Sequence, residues 1–504
     1  MKFKLLHLLI IVGIISNSSC SEDKQKSSNN DFPYGVASGN PDSNGVLIWT
    51  KTLPKNVSQE ILWQMSTDSL FSIIEKQGVE SAKKQSDYTI KAQVDELHPG
   101  QTYYYRFTIG NNHSMVGRTK TLPAKNETPE KFKIALINCN NYQDGYFNAF
   151  NALSKRDDID LVIHLGDYIY EYEAGRYADA TLVDRQHKPS NEIVTLNDYR
   201  TRYAQYRSEK DFQKVHAKFP FLFIWDDHEF ANDAYMTGAK NHNEGEGSWQ
   251  QRQSNAIQAY MEWLPISYSP QKSPPTQLQI GQLIDLVLLE ERASGRTKQI
   301  DPCELDKNPS VAHNILGKKQ METLVRAITT STKPWTVIAN QVAFTGYAKT
   351  DSLFSLKYQD WWLGYPDDRK QIIGALKKAS SKPIILTGDH HRSFVMAVHD
   401  DSLNACNPKY VSGYKEKPLA WEIMVPSISS KNHDVYPNSV VSAYSKKLLN
   451  QRHNPHIKFA DLNQHGFTVM HFTSDKVSAE YVFMKTVKKR DSTIKTVKKI
   501  ELNF

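Results

Sequence analysis

The 504-residue sequence lacks the features that mark several protein classes. It has no zinc finger, helix–turn–helix motif or pattern of base-stacking aromatic residues, so specific nucleic-acid recognition is not indicated. Its net charge of +7 is mild for this length and is more typical of a solvated lysine surface than of a polyanion-binding protein. Hydrophobic residues make up 39% and charged residues 23% of the chain, as in globular proteins. At this length we expect two domains.

Long apolar runs are also scarce, and the one at the N-terminus is short. Two lysines precede the apolar residues 5–15, which are too few to span a bilayer. Small residues before Cys20 resemble a bacterial lipoprotein processing site. We therefore predict a lipoprotein signal peptide over residues 1–19, lipidation of Cys20, a flexible tether over 20–31 and a place in the bacterial envelope, periplasmic or at the cell surface. Because Asn17 stands where leucine is usual, an ordinary signal peptide with an incidental cysteine is the alternative.

Four short apolar segments each end in side chains that can bind metal. The predicted buried strands are 132–138, 159–164, 221–225 and 383–387. The residues that follow them are Cys139, Asn140 and Asn141; Asp167 and Tyr170; Asp226, Asp227, His228 and Glu229; and Asp389, His390 and His391. An isolated Gly-Asp turn is usually structural. Four such strand ends together are hard to explain by packing, because uncompensated buried charge is costly, and strand ends are where α/β proteins place their chemistry.

The chemistry of these side chains indicates a site for more than one metal. A thiolate, a phenolate and a carboxylate suit a highly charged, redox-capable ion such as ferric iron, and further carboxylate and amide oxygens suit a hard divalent ion. Two metals held close together can bind a phosphoryl group and generate a hydroxide nucleophile at neutral pH. Zinc or manganese remains an alternative at either position.

The remaining sequence predicts an all-β region followed by an α/β region. Strand-like segments separated by turns fill residues 32–124, and residues 97–106 resemble the tyrosine corner of fibronectin-type sandwiches. Beyond a linker, strands alternate with helical segments such as 319–329. Asp144 is predicted to cap a helix whose apolar face is Phe147, Phe150 and Leu153. Insertions at 171–215 and 229–280 are expected to form walls of the pocket.

Several motifs, in this order along the chain, resemble the alkaline phosphatase D (PhoD) family, a relative of the purple acid phosphatases among the metallophosphoesterases. The matching segments are 35–41, 139–142 with Gly145, 165–171, 225–229, 360–365, 388–391 and 426–430. The resemblance implies an N-terminal fibronectin- or immunoglobulin-like β-sandwich and an α/β metallophosphoesterase domain built as a two-sheet α/β/β/α sandwich. The predicted boundaries are 32–124 for the sandwich, 132–482 for the catalytic domain and 483–504 for a basic β tail.

The resemblance also assigns roles to residues of this chain. The implied metal ligands are Cys139, Asp167, Tyr170, Asp227, Asn232, Asp389 and His391. The first three would bind Fe³⁺, with Asp167 bridging to a divalent ion, typically Ca²⁺, in a site of two or three metals. His228 and Asp227 would be catalytic, with His228 contacting phosphate and assisting the leaving group. The predicted substrate contacts are Asn140, Arg292 and His390.

Together these features predict an exported hydrolase that cleaves phosphate monoesters or diesters by attack of a metal-bound hydroxide. We expect a monomer, anchored to the membrane by its lipid, that acts on small phosphate esters or on phosphodiester polymers or lipids. The alternatives are a phospholipase D-like phosphodiesterase and a non-catalytic surface-binding lipoprotein of the same fold. With Cys20 and Cys139 assigned, Cys303 and Cys406 could form a disulfide, or both could be free thiols.

Two departures from the family pattern concern the substrate pocket. Many members read Leu-Asp-Thr-Arg-x-Tyr-Arg where residues 289–295 here read Leu-Glu-Glu-Arg-Ala-Ser-Gly. Glu290 replaces the aspartate and the second tyrosine is missing, which predicts altered substrate contacts near this loop. Trp362 stands where the family's aspartate follows Trp361, and we expect it to reshape the mouth of the pocket.

Overall fold

The structure is a computed structural model that describes residues 31–53, 58–267, 276–301, 304, 313–347, 358–400, 417–449 and 454–504. The predicted signal peptide, the lipidation site Cys20, nearly all of the tether, Cys303 and Cys406 lie outside the described residues. Across the described ranges, no helix is both long enough and apolar enough to cross a membrane.

Strands dominate the described part of the chain. In chain order they are β1 Val36–Gly39, β2 Val46–Lys51, β3 Ser58–Ser66, β4 Lys76–Lys83, β5 Thr89–Val94, β6 Thr102–Ile109, β7 Asn112–His113, β8 Gly117–Lys120, β9 Phe132–Ile137, β10 Leu161–Leu165 and β11 Pro220–Ile224. The later strands are β12 Thr276–Ile280, β13 Ile284–Leu288, β14 Trp335–Asn340, β15 Lys382–Thr387, β16 Ser393–Val398, β17 Ala420–Met424, β18 Ile457–Asp461, β19 Gly466–Phe472, β20 Val477–Met484 and β21 Ile494–Glu501. All four predicted buried strands are confirmed within one or two residues of their expected ends.

The helices lie between strands of the catalytic region. They are α1 Asn148–Ser154, α2 Leu196–Arg207, α3 Lys210–Lys218, α4 Trp249–Trp263, α5 Lys318–Thr330, α6 Pro366–Leu376 and α7 Asn438–Leu448. The helix predicted over 319–329 is α5. The cap predicted for α1 is wrong: the helix begins after Phe147 with no side-chain cap. Asp144 lies too early in the chain, and its carboxylate accepts hydrogen bonds from the Asn141 side chain and the Lys431 backbone instead.

Two large sheets pack face to face and position the site. Within the described residues, the first sheet has the strand order β21-β20-β19-β9-β10-β11-β1-β2-β5, and the second has β12-β13-β14-β15-β17-β16-β18. Neighbouring residues on β10 point to opposite faces: Ile163 lies in the core between the sheets with Val337, and Val162 lies in an outer core with Phe150 of α1. A third core covers the outer face of the second sheet with α5 to α7. These layers are the predicted α/β/β/α arrangement.

The N-terminal region is all-β and shares a sheet with the catalytic region. Strand β1 pairs in parallel with β11, so β1, β2 and β5 extend the first large sheet. Strands β3, β4 and β6 to β8 form a further sheet, and an apolar core that includes Ile48 and Ile61 lies between the two. The Tyr103 hydroxyl accepts a hydrogen bond from the His98 backbone at 2.8 Å, as a tyrosine corner does. The immunoglobulin-like classification itself stays a prediction.

The C-terminal segment, predicted as a basic β tail, forms a hairpin at the edge of the first sheet. Strands β20 and β21 pair antiparallel, and β21 is the outermost strand of the first sheet. Nearly all of β21 is exposed, and it carries Lys495, Lys498 and Lys499. Lysine on an edge strand hinders pairing with another chain.

Candidate metal centre

The carboxyl ends of parallel strands from both sheets carry the predicted ligands. Strands β9, β10 and β11 run parallel in the first sheet, and β14, β15 and β17 run parallel in the second. Cys139, Asp167 and Asp227 follow the three strands of the first sheet, and Asp389 and His391 follow β15. Because the sheets pack face to face with these ends together, side chains far apart in sequence meet at one edge.

The side chains of these strand ends form one continuous cluster. Potential ligand atoms lie within 4.8 Å of one another in three groups: Cys139, Asp167 and His391; Asp167, Asp227 and His228; and Asp226, Asp227 and Asp389. Asp167 and Asp227 each belong to two groups. The Tyr170 hydroxyl donates to Asp167 Oδ2 at 2.9 Å and lies 3.3 Å from His391 Nε2. The structure therefore brings together all the predicted ligands except Asn232.

Four of the clustered residues have an unusual backbone conformation. The φ angles are 52° at Cys139, 57° at Asp167, 52° at Asp389 and 60° at His391. Non-glycine residues rarely adopt this left-handed region, which costs free energy that the surrounding structure must supply. Such strain collects at functional sites. Its presence at all four positions supports a role for this cluster beyond packing.

Two glycines allow the strand ends to approach closely. Gly166 has a φ of 101°, and a Cβ atom there would lie 2.5 Å from Cβ of Asp226. A Cβ atom on Gly388 would lie 2.6 Å from the carbonyl oxygen of Leu165. The first contact joins the turns after β10 and β11 within one sheet, and the second brings the turn after β15 against β10 across the two sheets. Side chains at either position would push the ligand groups apart.

The Glu229 side chain connects the turn after β10 to the turn after β11. Its buried carboxylate accepts hydrogen bonds from the backbone N–H groups of Asp167, Tyr168 and Asp226. Burial, and then the charge of Asp167, raise the pKa of Glu229 to about 8. This single side chain therefore positions both acidic strand ends of the first sheet.

The cluster contains more buried negative groups than the protein neutralises. One carboxylate oxygen each of Asp167, Asp226 and Asp227 is buried and accepts no hydrogen bond within the described residues. Burial is the main cause that raises the pKa of Asp227 to about 6 and that of Asp389 well above its usual value. Burial and then Asp167 likewise raise the pKa of the Cys139 thiol. Bound cations would remove this cost, so the donors present fit the predicted metals.

His228 lies against the cluster and contacts a different carboxylate. Its Nδ1 atom lies 2.7 Å from Glu171 Oε2, and its ring stacks on Tyr170 with centroids 4.2 Å apart. Burial lowers the pKa of His228, but the charges of Asp227 and Glu171 raise it, and the result lies well above the usual value. The protonated ring can donate hydrogen bonds from both nitrogens, as a phosphate-binding general acid requires.

Asn232 and Asn140 contact the site's supporting residues. The Asn232 backbone N–H donates to Glu171 Oε1 at 2.8 Å, and the metal contact predicted for its side chain stays a prediction. The Asn140 amide donates to the Tyr168 carbonyl, and its oxygen lies 2.7 Å from His164 Nε2. Both ends of this amide thus have partners within the fold, and its predicted substrate contact stays a prediction.

The structure places Arg292 and His390 in internal contacts. Arg292 is fully buried; its Nε donates to Asp226 at 2.5 Å, and its Nη1 and Nη2 atoms bind Asp360 at 2.8 and 3.1 Å. His390 Nε2 lies 3.2 Å from the Tyr347 hydroxyl. Burial, followed by the charge of Arg392, lowers the pKa of His390 well below its usual value, so the ring is neutral. The substrate contacts of both residues stay predictions.

Glu290 and Trp362, the two residues that depart from the family pattern, are both buried. The longer Glu290 side chain folds back over its own loop and accepts hydrogen bonds from the backbone of Arg292, Ala293 and Ser294. The expectation that Trp362 reshapes the pocket mouth is wrong. The Trp362 ring is buried, and its indole N–H contacts Glu291 at 3.1 Å and Asn340 at 2.8 Å, because these polar partners satisfy it in the interior.

Four residues of the site were not assigned roles from the sequence. Asp226 belongs to an acidic group, Glu171 orients His228, and the Ser430 hydroxyl lies 2.6 Å from that of Tyr170. Tyr177, in the predicted insertion 171–215, stacks over Tyr170 and places its hydroxyl 3.5 Å from His391 Nδ1. Asp226, Glu171 and Ser430 lie in segments that match family motifs, so they could have been identified from the sequence. Tyr177 lies in none of them.

Comparisons with known proteins point to one family. The PhoD-like phosphatase family matches residues 134–481, and its N-terminal domain family matches residues 18–123. Alkaline phosphatase D of Bacillus subtilis (strain 168) is 32% identical over 484 residues, covering 92% of this chain and 79% of that protein. A solved structure of PhoD superposes with a TM-score of 0.81 at 30% identity, covering 95% of this chain and 93% of that one.

A more distant structural relative shares the fold alone. The purple acid phosphatase PPD1 from yellow lupin (Lupinus luteus) seeds superposes with a TM-score of 0.56 at 12% identity, covering 93% of this chain and 74% of that one. The sheet-rich core is therefore common to both. The similarity to alkaline phosphatase D supports a phosphoric ester hydrolase activity for this chain. From the family matches, the long alignments and the strand-end cluster, we conclude that the chain belongs to the PhoD-like phosphatase family.

Proposed function

We propose that this protein is an exported, metal-dependent phosphoesterase that hydrolyses phosphate monoesters or diesters at the strand-end cluster. One observation carries the proposal. Buried carboxylates, a thiol and a phenol from both sheets lie close together, and several of the carboxylate oxygens accept no hydrogen bond within the described residues. Family membership supplies the reaction class, and the cluster supplies the residues.

Two kinds of metal ion fit the donors. Cys139, Asp167, Tyr170 and His391, which lie together, would hold Fe³⁺, and Asp227 and Asp389 would hold a divalent ion such as Ca²⁺. When bound, the ions would supply Lewis acidity toward the phosphoryl oxygens and lower the pKa of an attacking water. The shared position of Asp167 in two ligand groups supports a bridging role.

The chain's own residues would orient the substrate and move a proton. His228 is held by Glu171 through Nδ1, which leaves Nε2 to donate to a phosphoryl oxygen or to the leaving oxygen. Tyr170 and Tyr177 stack beside this ring and restrict its rotation. Burial raises the pKa of Asp226 well above its usual value, and the buried Arg292 guanidinium, which pairs with this carboxyl at 2.5 Å, opposes that rise.

The cellular setting is proposed from the N-terminal sequence. Lipidation at Cys20 would anchor a monomer to a bacterial envelope membrane, with residues 20–31 as the tether. Its substrates would then be small phosphate esters, or phosphodiester polymers and lipids within reach of that membrane. The alternatives are phospholipase D-like cleavage of lipid head groups and a non-catalytic binding protein.

The test combines metal removal with a substrate panel. We expect the purified protein to hydrolyse para-nitrophenyl phosphate, bis(para-nitrophenyl) phosphate or both. Activity should be lost after dialysis against a chelator and restored by iron and calcium together. Head-group release from phosphatidylcholine vesicles as the fastest reaction would favour the phospholipase alternative. Absence of hydrolysis from all three substrates would favour the non-catalytic alternative, and unchanged hydrolysis by metal-free protein would contradict the metal dependence.

A further inference from the structure

Two positively charged side chains flank His391 at the edge of the metal cluster. Arg392 follows His391 directly, and its Nη1 donates to His390 Nδ1 at 3.1 Å. Its Nε atom is buried and finds no acceptor among the described residues. A guanidinium N–H left without an acceptor is unfavourable, and an anionic ligand would satisfy it.

The second positive charge belongs to Lys431, from the turn after β17. Its backbone N–H donates to Asp144 Oδ2 at 3.1 Å, and its carbonyl lies 2.9 Å from His391 Nδ1. The backbone position of Lys431 is therefore fixed relative to the ligand histidine. Its ammonium group lies 4.1 Å from the ring centroid of Tyr177, the aromatic residue whose hydroxyl also contacts His391. Both side chains are only partly exposed.

These two cations differ from the others near the site. Arg292 pairs with Asp226, Arg296 with Asp360, and Lys488 with Asp179 at 2.8 Å. Across the parts of the chain that the structure describes, neither Arg392 nor Lys431 has a carboxylate partner of this kind. Their charges are therefore available to a ligand.

We propose that Arg392 and Lys431 form an anion subsite beside His391 that binds a second anionic group of the substrate. This proposal rests on the proposed phosphoesterase function. The substrate class it selects is a phosphate ester whose alcohol portion, or second ester group, carries a carboxylate or a further phosphate.

The charge distribution explains why such a subsite would matter. The cluster is rich in buried carboxylates, which repel any negative charge on the substrate beyond the phosphoryl group that the metals bind. The two cations at the edge, Arg392 and Lys431, offset that repulsion for an anionic alcohol portion. An ester of a neutral alcohol has no anionic group to contact these two cations, so it gains little binding free energy from them. The subsite would therefore act on substrate choice and not on the chemical step.

The test compares two substrates that differ by one carboxylate, phenyl phosphate and para-carboxyphenyl phosphate. We expect Lys431→Gln and Arg392→Gln each to raise KM for para-carboxyphenyl phosphate by about tenfold, with KM for phenyl phosphate changing by less than about twofold. The value of kcat for both substrates should stay close to that of the wild type. Lys431→Arg keeps the charge and should retain the preference.

The controls separate this proposal from the function on which it rests. Lys498→Gln removes one positive charge from the exposed strand β21 and should leave both substrates unaffected. Metal content and circular dichroism identify a variant that has lost the site or the fold, and Lys431→Gln keeps every backbone contact of residue 431. Equal changes for both substrates, or none, in folded and metal-loaded variants would overturn the subsite. A wild-type protein that hydrolyses neither ester would overturn the proposed function, and the subsite with it.

Discussion

Nδ1 of His228 lies 2.7 Å from Oε2 of the buried Glu171 carboxylate. The other oxygen, Oε1, accepts hydrogen bonds from the Asn232 backbone and from the Asn241 side chain, each at 2.8 Å. Because the carboxylate is held on both sides, it fixes the ring orientation and keeps a proton on Nδ1. The relation resembles the carboxylate–histidine pairs that orient catalytic imidazoles in other enzymes.

Removing the His228 ring should slow catalysis without releasing the metals. General acid catalysis contributes about a hundred- to ten-thousand-fold, so His228→Ala should lower kcat within roughly that range on an ester with an alkyl leaving group. The loss should be smaller for para-nitrophenyl phosphate, whose leaving group needs no proton. Steady-state kinetics on both substrates and metal analysis provide the measurements.

Glu171→Gln serves as a matched variant for the same pair. It keeps the shape of residue 171 but removes the charge that supports protonated His228 and replaces one accepting oxygen by an NH2 donor. We expect a smaller loss than for His228→Ala, and an activity profile whose alkaline limb moves to lower pH because the pKa of His228 falls. Loss of metal from His228→Ala, or full activity on both substrate types, would remove the role given to this histidine.

The proposed ferric site should give the protein a colour. If Tyr170 and Cys139 both bind Fe³⁺, charge transfer from these ligands should produce a visible absorption band. Tyr170→Phe should weaken or shift that band, since it removes the phenolate oxygen and keeps the ring. Tyr172→Phe, a neighbouring tyrosine outside the ligand groups, should leave the spectrum unchanged. A colourless and iron-free preparation with full activity would exclude the iron assignment.

The half-buried Glu480, which lies away from the site, should make the free energy of unfolding depend on pH in the acid range. Glu480 accepts a hydrogen bond from His471 at 2.8 Å and pairs with Arg156 at 2.7 Å, which lowers its pKa to about 2. A lowered folded-state pKa stabilises the fold above the unfolded value of 4.5, and this contribution is lost as pH falls toward 2.

Thermal melts of Glu480→Gln test this relation. Because the group is partly exposed to solvent, we expect a destabilisation of only about 1 kcal/mol at neutral pH. The difference from wild type should shrink as pH falls between those two values. A difference that is independent of pH would show that packing, and not charge, accounts for the effect.

The proposed lipid anchor at Cys20 leads to a separate prediction. A single acyl chain binds membranes only marginally, so stable attachment requires the multiple chains of a processed lipoprotein cysteine. Cys20→Ser should therefore release the protein in soluble form while leaving its phosphatase activity intact. Fractionation of cells that express each form measures this. A variant that stays in the membrane fraction would contradict lipidation at Cys20.

The strand ends could be predicted from the sequence because each is a local pattern. A buried strand reads as an apolar run, and a polar residue that directly follows it must lie at the end of the sheet. Cys139, Asp167, Asp227, Asp389 and His391 were found in this way, and all five meet in the structure. The strand end at Asp167 also placed Tyr170, three residues further on, among the candidate ligands.

Other parts of the site depend on contacts between distant segments, which leave no local pattern. Glu229 was visible in a motif, but its hydrogen bonds to Asp167 and Tyr168 exist only once β10 and β11 pair. Tyr177 lies in an irregular insertion with no periodicity. The expectation for Trp362 failed because an indole can satisfy its N–H inside the protein when Glu291 is buried beside it. Burial of a substituted residue cannot be read from its type alone.

The most direct test of the account is metal content and phosphoesterase activity measured on the same preparations of wild type, Asp167→Asn and Asp475→Asn. Asp167 belongs to two of the three ligand groups, whereas Asp475 lies in the exposed turn between β19 and β20. We expect Asp167→Asn to lose bound metal and activity together, and Asp475→Asn to retain both. A folded Asp167→Asn protein with wild-type metal content and wild-type activity would contradict the proposed metal site.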